Sequence, residues 1–159
     1  MTDNTYTKEE IASKQLETAI ILFLSGRDLS SVITLSGAAG NILEQLGGFK
    51  GEEPFVDYAC RVHDALVGYT PPRKKYKYHI DKKLGVITHK HMSETDSEHT
   101  EIDLEKSAVD SITKALADYI KIHGQENQFV VAFYNWCWKN MEGEKIMEAY
   151  KSIQSKLKK

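Results

Sequence analysis

"RKKYKYHIDKKLGVITHKH", residues 73–91, decides whether this chain is all helical. Two patterns compete in it. "KYKYHI" alternates in period two, and "DKKLG" can turn it into "VITHKH", which would make a small hairpin. Against that, Ile80, Leu84, Ile87 and His91 recur at the spacing of one helix face. A lone hairpin is only marginally stable in water unless other elements cover it. We therefore read helix here, and the rest of the chain supports the choice.

Upstream, helical punctuation is dense. Thr7 and Glu10 form a T-x-x-E capping box ahead of Ile11, Leu16, Ala19, Ile20, Phe23 and Leu24, and Gly26 is a natural stop. Asp28 or Ser30 can cap a second helix, "SSVITLSGAAGNILEQL", which ends at Gly47 and Gly48. Its middle, Gly37-Ala38-Ala39-Gly40, carries no bulky side chain. Each interior glycine costs a helix about 1 kcal/mol against alanine, a cost tolerable where another backbone comes close. This helix is expected at the centre of the fold, against the first helix or a second subunit. Pro54 opens a third helix with Phe55, Tyr58, Ala59, Val62 and Leu66 on one face, ended by Gly68 and Pro71-Pro72.

Downstream, Leu104, Val109, Ile112, Leu116, Tyr119 and Ile120 mark a long helix closing at Gly124. The next carries Phe129, Val130, Phe133, Trp136 and Cys137, with Trp138 pointing elsewhere as the exposed tryptophan. Ile146, Tyr150, Ile153 and Leu157 give a last stripe after Gly143. The expectation is one all-α domain over residues 1–159, a bundle of five to seven helices, with 1–6 disordered and 93–102 an acidic connection.

Composition narrows the function classes. Hydrophobic residues at 41% allow a buried core, and a net charge of -2 gives no global pull toward nucleic acid or acidic membranes. No apolar run is long enough for a transmembrane helix, and "MTDNTYTKEE" does not read as a secretory signal. Cys60 and Cys137 form no C-x-x-C pair and read as small buried hydrophobes, so the chain reads as cytoplasmic. P-loop, G-x-S-x-G, dinucleotide and H-E-x-x-H motifs are absent, and no cofactor is expected. Asp57, Asp64 and Asp118 show no sequence partner and are expected to face solvent.

Histidines and charges supply the candidate sites. "GVITHKHMSETDSEHTEID", residues 85–103, holds His89, His91 and His99 with Glu94, Asp96 and Glu98. On a strand, His89 and His91 would share a face and could chelate zinc with His99. On a helix they diverge by roughly 200°, leaving His91 tucked against backbone, His89 in water, and the acidic run a polar connection. Residues 73–83 hold Arg73, Lys74, Lys75, Lys77, Lys82 and Lys83 against Asp81 alone, with Tyr76 and Tyr78 interleaved, a pattern that can grip a nucleic-acid backbone.

Two resemblances follow from these residues. "QLETAIILFLSGRDLSSVITLSGAAGNIL", about residues 15 to 46, resembles the opening of a family of small prokaryotic helical proteins with an "ALTLAGAAEEIL"-like second helix. Lys90-His91 matches the K-H of that family's N-x-x-K-H, with Ile87 in place of the asparagine. That resemblance implies an all-helical fold and no particular activity. Separately, Arg73 and His79 have the R-x(4-6)-H spacing of HEPN ribonucleases, which would make them a catalytic pair for RNA cleavage, although Lys74 departs from the usual residue after the arginine. The reading adopted is a non-enzymatic protein acting through self-association, most simply a homodimer, or through a protein partner, with Gly37, Gly40 and Trp138 as interface candidates. A HEPN-like RNA-binding or RNA-cleaving protein and a metal-dependent hydrolase are the alternatives.

Overall fold

The computed structural model describes residues 4–91 and 97–157, and among these every regular element is a helix. They are α1 (Lys8–Leu24), α2 (Leu29–Phe49), α3 (Phe55–Val67), α4 (Arg73–Lys83), α5 (Val86–Lys90), α6 (Leu104–His123), α7 (Gln128–Asn140) and α8 (Gly143–Leu157). The expected count is exceeded because 73–91 is two helices rather than one. Gly85 at φ +78° breaks them, a left-handed conformation that a side chain would strain. Helix wins over hairpin there, and the all-α reading holds.

Local chemistry places the ends. The Thr7–Glu10 box is formed in both directions, Glu10 N–H donating to the Thr7 hydroxyl at 3.1 Å and Thr7 N–H to the Glu10 carboxylate at 2.7 Å. The Asp28 carboxylate caps α2 by accepting from the N–H groups of Ser30 and Ser31. Asp103 and Asn127 cap α6 and α7 in the same way. Residues 4–7 precede α1 without regular structure, and 97–103 connect without helix, while Glu94 and Asp96 lie outside the described residues.

The core is built on α1, α2 and α6. Leu16 and Ile20 of α1, Ile33 and Leu43 of α2, and Ile112 and Leu116 of α6 are fully buried, each worth about 1.5–3 kcal/mol against exposure. Phe133 of α7 closes one end through Phe23, whose ring also meets Trp136 edge-on at 4.7 Å. α3 is peripheral. Its predicted face is only half-buried, with Leu66 46% exposed, and Val56 is its one fully covered residue.

The bare face of α2 is covered by the chain's own helices. An added Cβ at Gly40 would sit 3.5 Å from Ala115 of α6, and one at Gly37 only 2.7 Å from a Val86 methyl of α5. Both glycines are buried, so the close approach is made within the chain. Ser36 and Ser111 continue that contact with a buried hydroxyl–hydroxyl hydrogen bond at 2.8 Å.

Candidate functional site

The α2–α6 contact changes character one turn further along. Glu44 lies four residues beyond Gly40 on the same buried face, and its side chain is 7% exposed. An isolated carboxylate there would be prohibitively costly. It is compensated by α4, whose Arg73, Lys77 and Asp81 recur every four residues and so share one helix face. Arg73 Nη2 donates to Glu44 at 2.9 Å, and Lys77 Nζ sits 2.8 Å from the other Glu44 oxygen, an ion pair without good hydrogen-bond alignment. Lys77 also donates to Asp81 at 3.1 Å and to the Asn41 amide oxygen at 3.0 Å. From α6, the buried Lys114 ammonium lies 3.4 Å from Asp81 and 4.0 Å from Glu44.

Two more carboxylates extend the cluster. Asp57 of α3 accepts a forked pair from Arg73 at 2.6 and 2.9 Å. That contact holds the Asp57 carboxyl below its ordinary range and, with Glu44, the Arg73 guanidinium above its own. Burial pulls the Lys77 ammonium down, but Glu44 and Asp81 outweigh it and hold it above the usual value. Asp118 of α6 is 2% exposed. Its Oδ1 accepts from Phe55 N–H at 2.7 Å, capping α3 from another helix, while its Oδ2 has no hydrogen-bond partner. Burial pushes its carboxyl up. The expectation that these aspartates face solvent thus holds for Asp64 alone, since Asp57 and Asp118 found partners that only the folded chain supplies.

The paired face of α4 leaves a second face outside. Lys74, Lys75, Tyr78, His79, Lys82 and Lys83 are exposed. The basic run is therefore sorted, with Lys77 and the half-exposed Arg73 paired to carboxylates and four lysines left in solvent, unpaired among the described residues.

This sorting separates the proposed catalytic pair. Six residues along a helix place His79 about 120° around the axis from Arg73. Arg73 is bound by Asp57 and Glu44, and His79 is exposed. Within one chain the two do not converge on a common point.

Nor are the histidines brought together. The expected roles of His89 and His91 are reversed. His89 is part-buried, with Nδ1 2.7 Å from the Gly85 carbonyl and Nε2 3.1 Å from the Ser30 hydroxyl. Since the carbonyl only accepts, Nδ1 carries a proton, and in the neutral ring Nε2 then accepts from the Ser30 hydroxyl. The ring braces α5 against the first turn of α2. His91 is exposed at the end of α5, and His99 is exposed on the connection. Among the described residues no group of three or more His, Cys, Asp or Glu side chains could hold a metal ion.

Both cysteines are half-buried and unbridged, and burial pushes the Cys137 thiol up to about 11, which keeps it a poor nucleophile near neutral pH. Trp138 is 56% exposed, as its position on α7 predicted.

The buried charge cluster escaped the sequence reading. One signal was present: Glu44 falls on the same α2 face as Gly37 and Gly40, where a charge implies a partner. No protein-family model matches this chain, and neither a curated protein nor a solved structure matches it.

Proposed function

We propose that the chain is a non-enzymatic helical protein that works by self-association, with the outer face of α7 as the contact. One observation carries this reading. Val131, Tyr134, Trp138 and Met141 recur at three- and four-residue intervals and are 45%, 39%, 56% and 38% exposed, while Phe129, Val130 and Phe133 of the same helix are in the core. Single exposed apolar residues are ordinary on a protein surface, but three on one face of α7 with Met141 at its C-terminal cap form a patch. Aromatic and methionine side chains are the types enriched in protein contacts.

A second copy fits that patch. An apolar helix face is self-complementary across a twofold axis, where the Val131 end of one helix meets the Trp138 end of the other. Gly37 and Gly40, the other interface candidates, are covered by Val86 and Ala115 and leave the role to α7.

Sedimentation equilibrium over a wide concentration range tests this. The parent should shift from monomer toward dimer mass, and Val131→Glu should weaken association at least about tenfold, equivalent to about 1.4 kcal/mol. Val131 is the better site to change because the Trp138 ring also lies over Gly143. A parent that stays monomeric at the highest concentration refutes the reading.

A further inference from the structure

α4 carries more cation than the fold consumes. Glu44, Asp57 and Asp81 neutralise Arg73 and Lys77 on the inner face. On the outer face Lys74, Lys75, Lys82 and Lys83 are exposed, and none of them enters an ion pair or hydrogen bond with a described residue. The spacing is regular. Lys74, Tyr78 and Lys82 form one row at four-residue intervals, and Lys75, His79 and Lys83 form the neighbouring row. At 1.5 Å per residue each row is about 12 Å long. No carboxylate interrupts either row, because the only acid of α4, Asp81, faces inward.

Two further features select among polyanions. Tyr78 is 49% exposed in the middle of its row, flanked by lysines one turn away on both sides. A ring presented between cations offers an unpaired base a surface to stack on while the lysines meet the flanking phosphates. In a duplex the bases are already stacked and the ring would have no partner. An acidic bilayer fits less well, since interfacial helices need an apolar stripe to bury. The remaining apolar side chains of α4, Tyr76, Ile80 and the adjoining Leu84, turn inward and line a cleft against Phe55 and Lys114. The inner ion pairs also fix α4 against α2, α3 and α6, so the two rows are held on a rigid support.

We infer that the outer face of α4 binds single-stranded nucleic acid without base specificity, its four free lysines on consecutive phosphates and Tyr78 stacked on a base. This is a second surface, independent of the association proposed for α7.

Fluorescence anisotropy of the full chain with a labelled mixed-sequence single-stranded RNA of roughly 20 nucleotides tests it. The same strand annealed to its complement and vesicles containing phosphatidylserine serve as comparators. Binding to the single strand should weaken with salt at a slope of log K against log [salt] of about -3, the value for four phosphate contacts on a single strand. Lys74→Gln with Lys82→Gln should reduce that slope to about half. Tyr78→Ala should weaken binding at least about fivefold with the slope unchanged. These residues are on the surface, so thermal midpoints should match the parent and a lost signal cannot be ascribed to unfolding. No binding at low salt, equal binding of the duplex, preferential binding of the vesicles, or a salt slope indifferent to the lysine changes would each overturn the inference.

Discussion

Glu44 shows how a single side chain can organise four helices. It lies on α2, accepts a hydrogen bond from Arg73 and pairs with Lys77 of α4, and faces Lys114 of α6, while Arg73 continues to Asp57 of α3. Removing it leaves Arg73 with Asp57 alone and Lys77 and Lys114 sharing the single charge of Asp81. Glu44→Ala should therefore cost about 3 kcal/mol, the low end of the range for breaking a buried pair from one side, measured by urea unfolding. Lys114→Met should cost clearly less, because Asp81 and Glu44 keep Lys77. Equal losses would show that Glu44 is not the hub. Asp118 makes the opposite kind of contribution. Its carboxyl is raised by burial above the ordinary 3.8, so the folded state holds its proton more tightly than the unfolded chain. Stability from this group is thus greatest below pH 3.8 and declines as pH climbs through the raised folded value. Asp57, lowered by Arg73, has the reverse sign, contributing above 3.8 and losing its contribution as pH falls. Asp118→Asn keeps an acceptor for Phe55 N–H and removes the charge. It should melt at or above the parent at pH 7, with the advantage shrinking toward pH 4. Asp118→Ala, which strands that N–H, should lose about 1–3 kcal/mol. An asparagine variant whose advantage over the parent is the same at both pH values would contradict the raised carboxyl.

At the scale of the element, α2 is the helix whose composition makes sense only through its neighbours. Its glycines are not equivalent. A methyl at Gly40 would make ordinary contact with Ala115 at 3.5 Å, and alanine there also gains helix propensity. A methyl at Gly37 would meet the buried, β-branched Val86 at 2.7 Å and push α5 away. Gly40→Ala should therefore be neutral or stabilising by up to about 1 kcal/mol. Gly37→Ala should destabilise by roughly 1–3 kcal/mol and be rescued by Val86→Ala, which vacates the space. Thermal unfolding of the three variants decides the matter, and a Gly37→Ala protein as stable as Gly40→Ala would show that α5 is not pressed against α2. The bare run at residues 37–40 was legible as a close-packing surface. Its neighbour was not, because a glycine face states that something approaches and carries no mark of what.

At the scale of the whole molecule, the proposed self-association through α7 would link stability to concentration. A dimer binds the folded state only, so its melting midpoint should rise with protein concentration, and the Val131→Glu midpoint should not. A parent midpoint independent of concentration would count against the dimer. Sequence by itself determined the all-helical character, the caps at Thr7 and Asp28, the stops at Gly68 and Gly124, and the exposure of Trp138. These features depend on residues within about one turn of each other. Tertiary structure alone decided the break at Gly85, the reversal of His89 and His91, and the sorting of α4 into a paired and a free face. Arg73 and Glu44 are 29 residues apart, and Phe55 and Asp118 are 63 apart. Whether a charge is cancelled depends on which opposite charge the fold carries to within a few ångströms, and no local pattern encodes that distance.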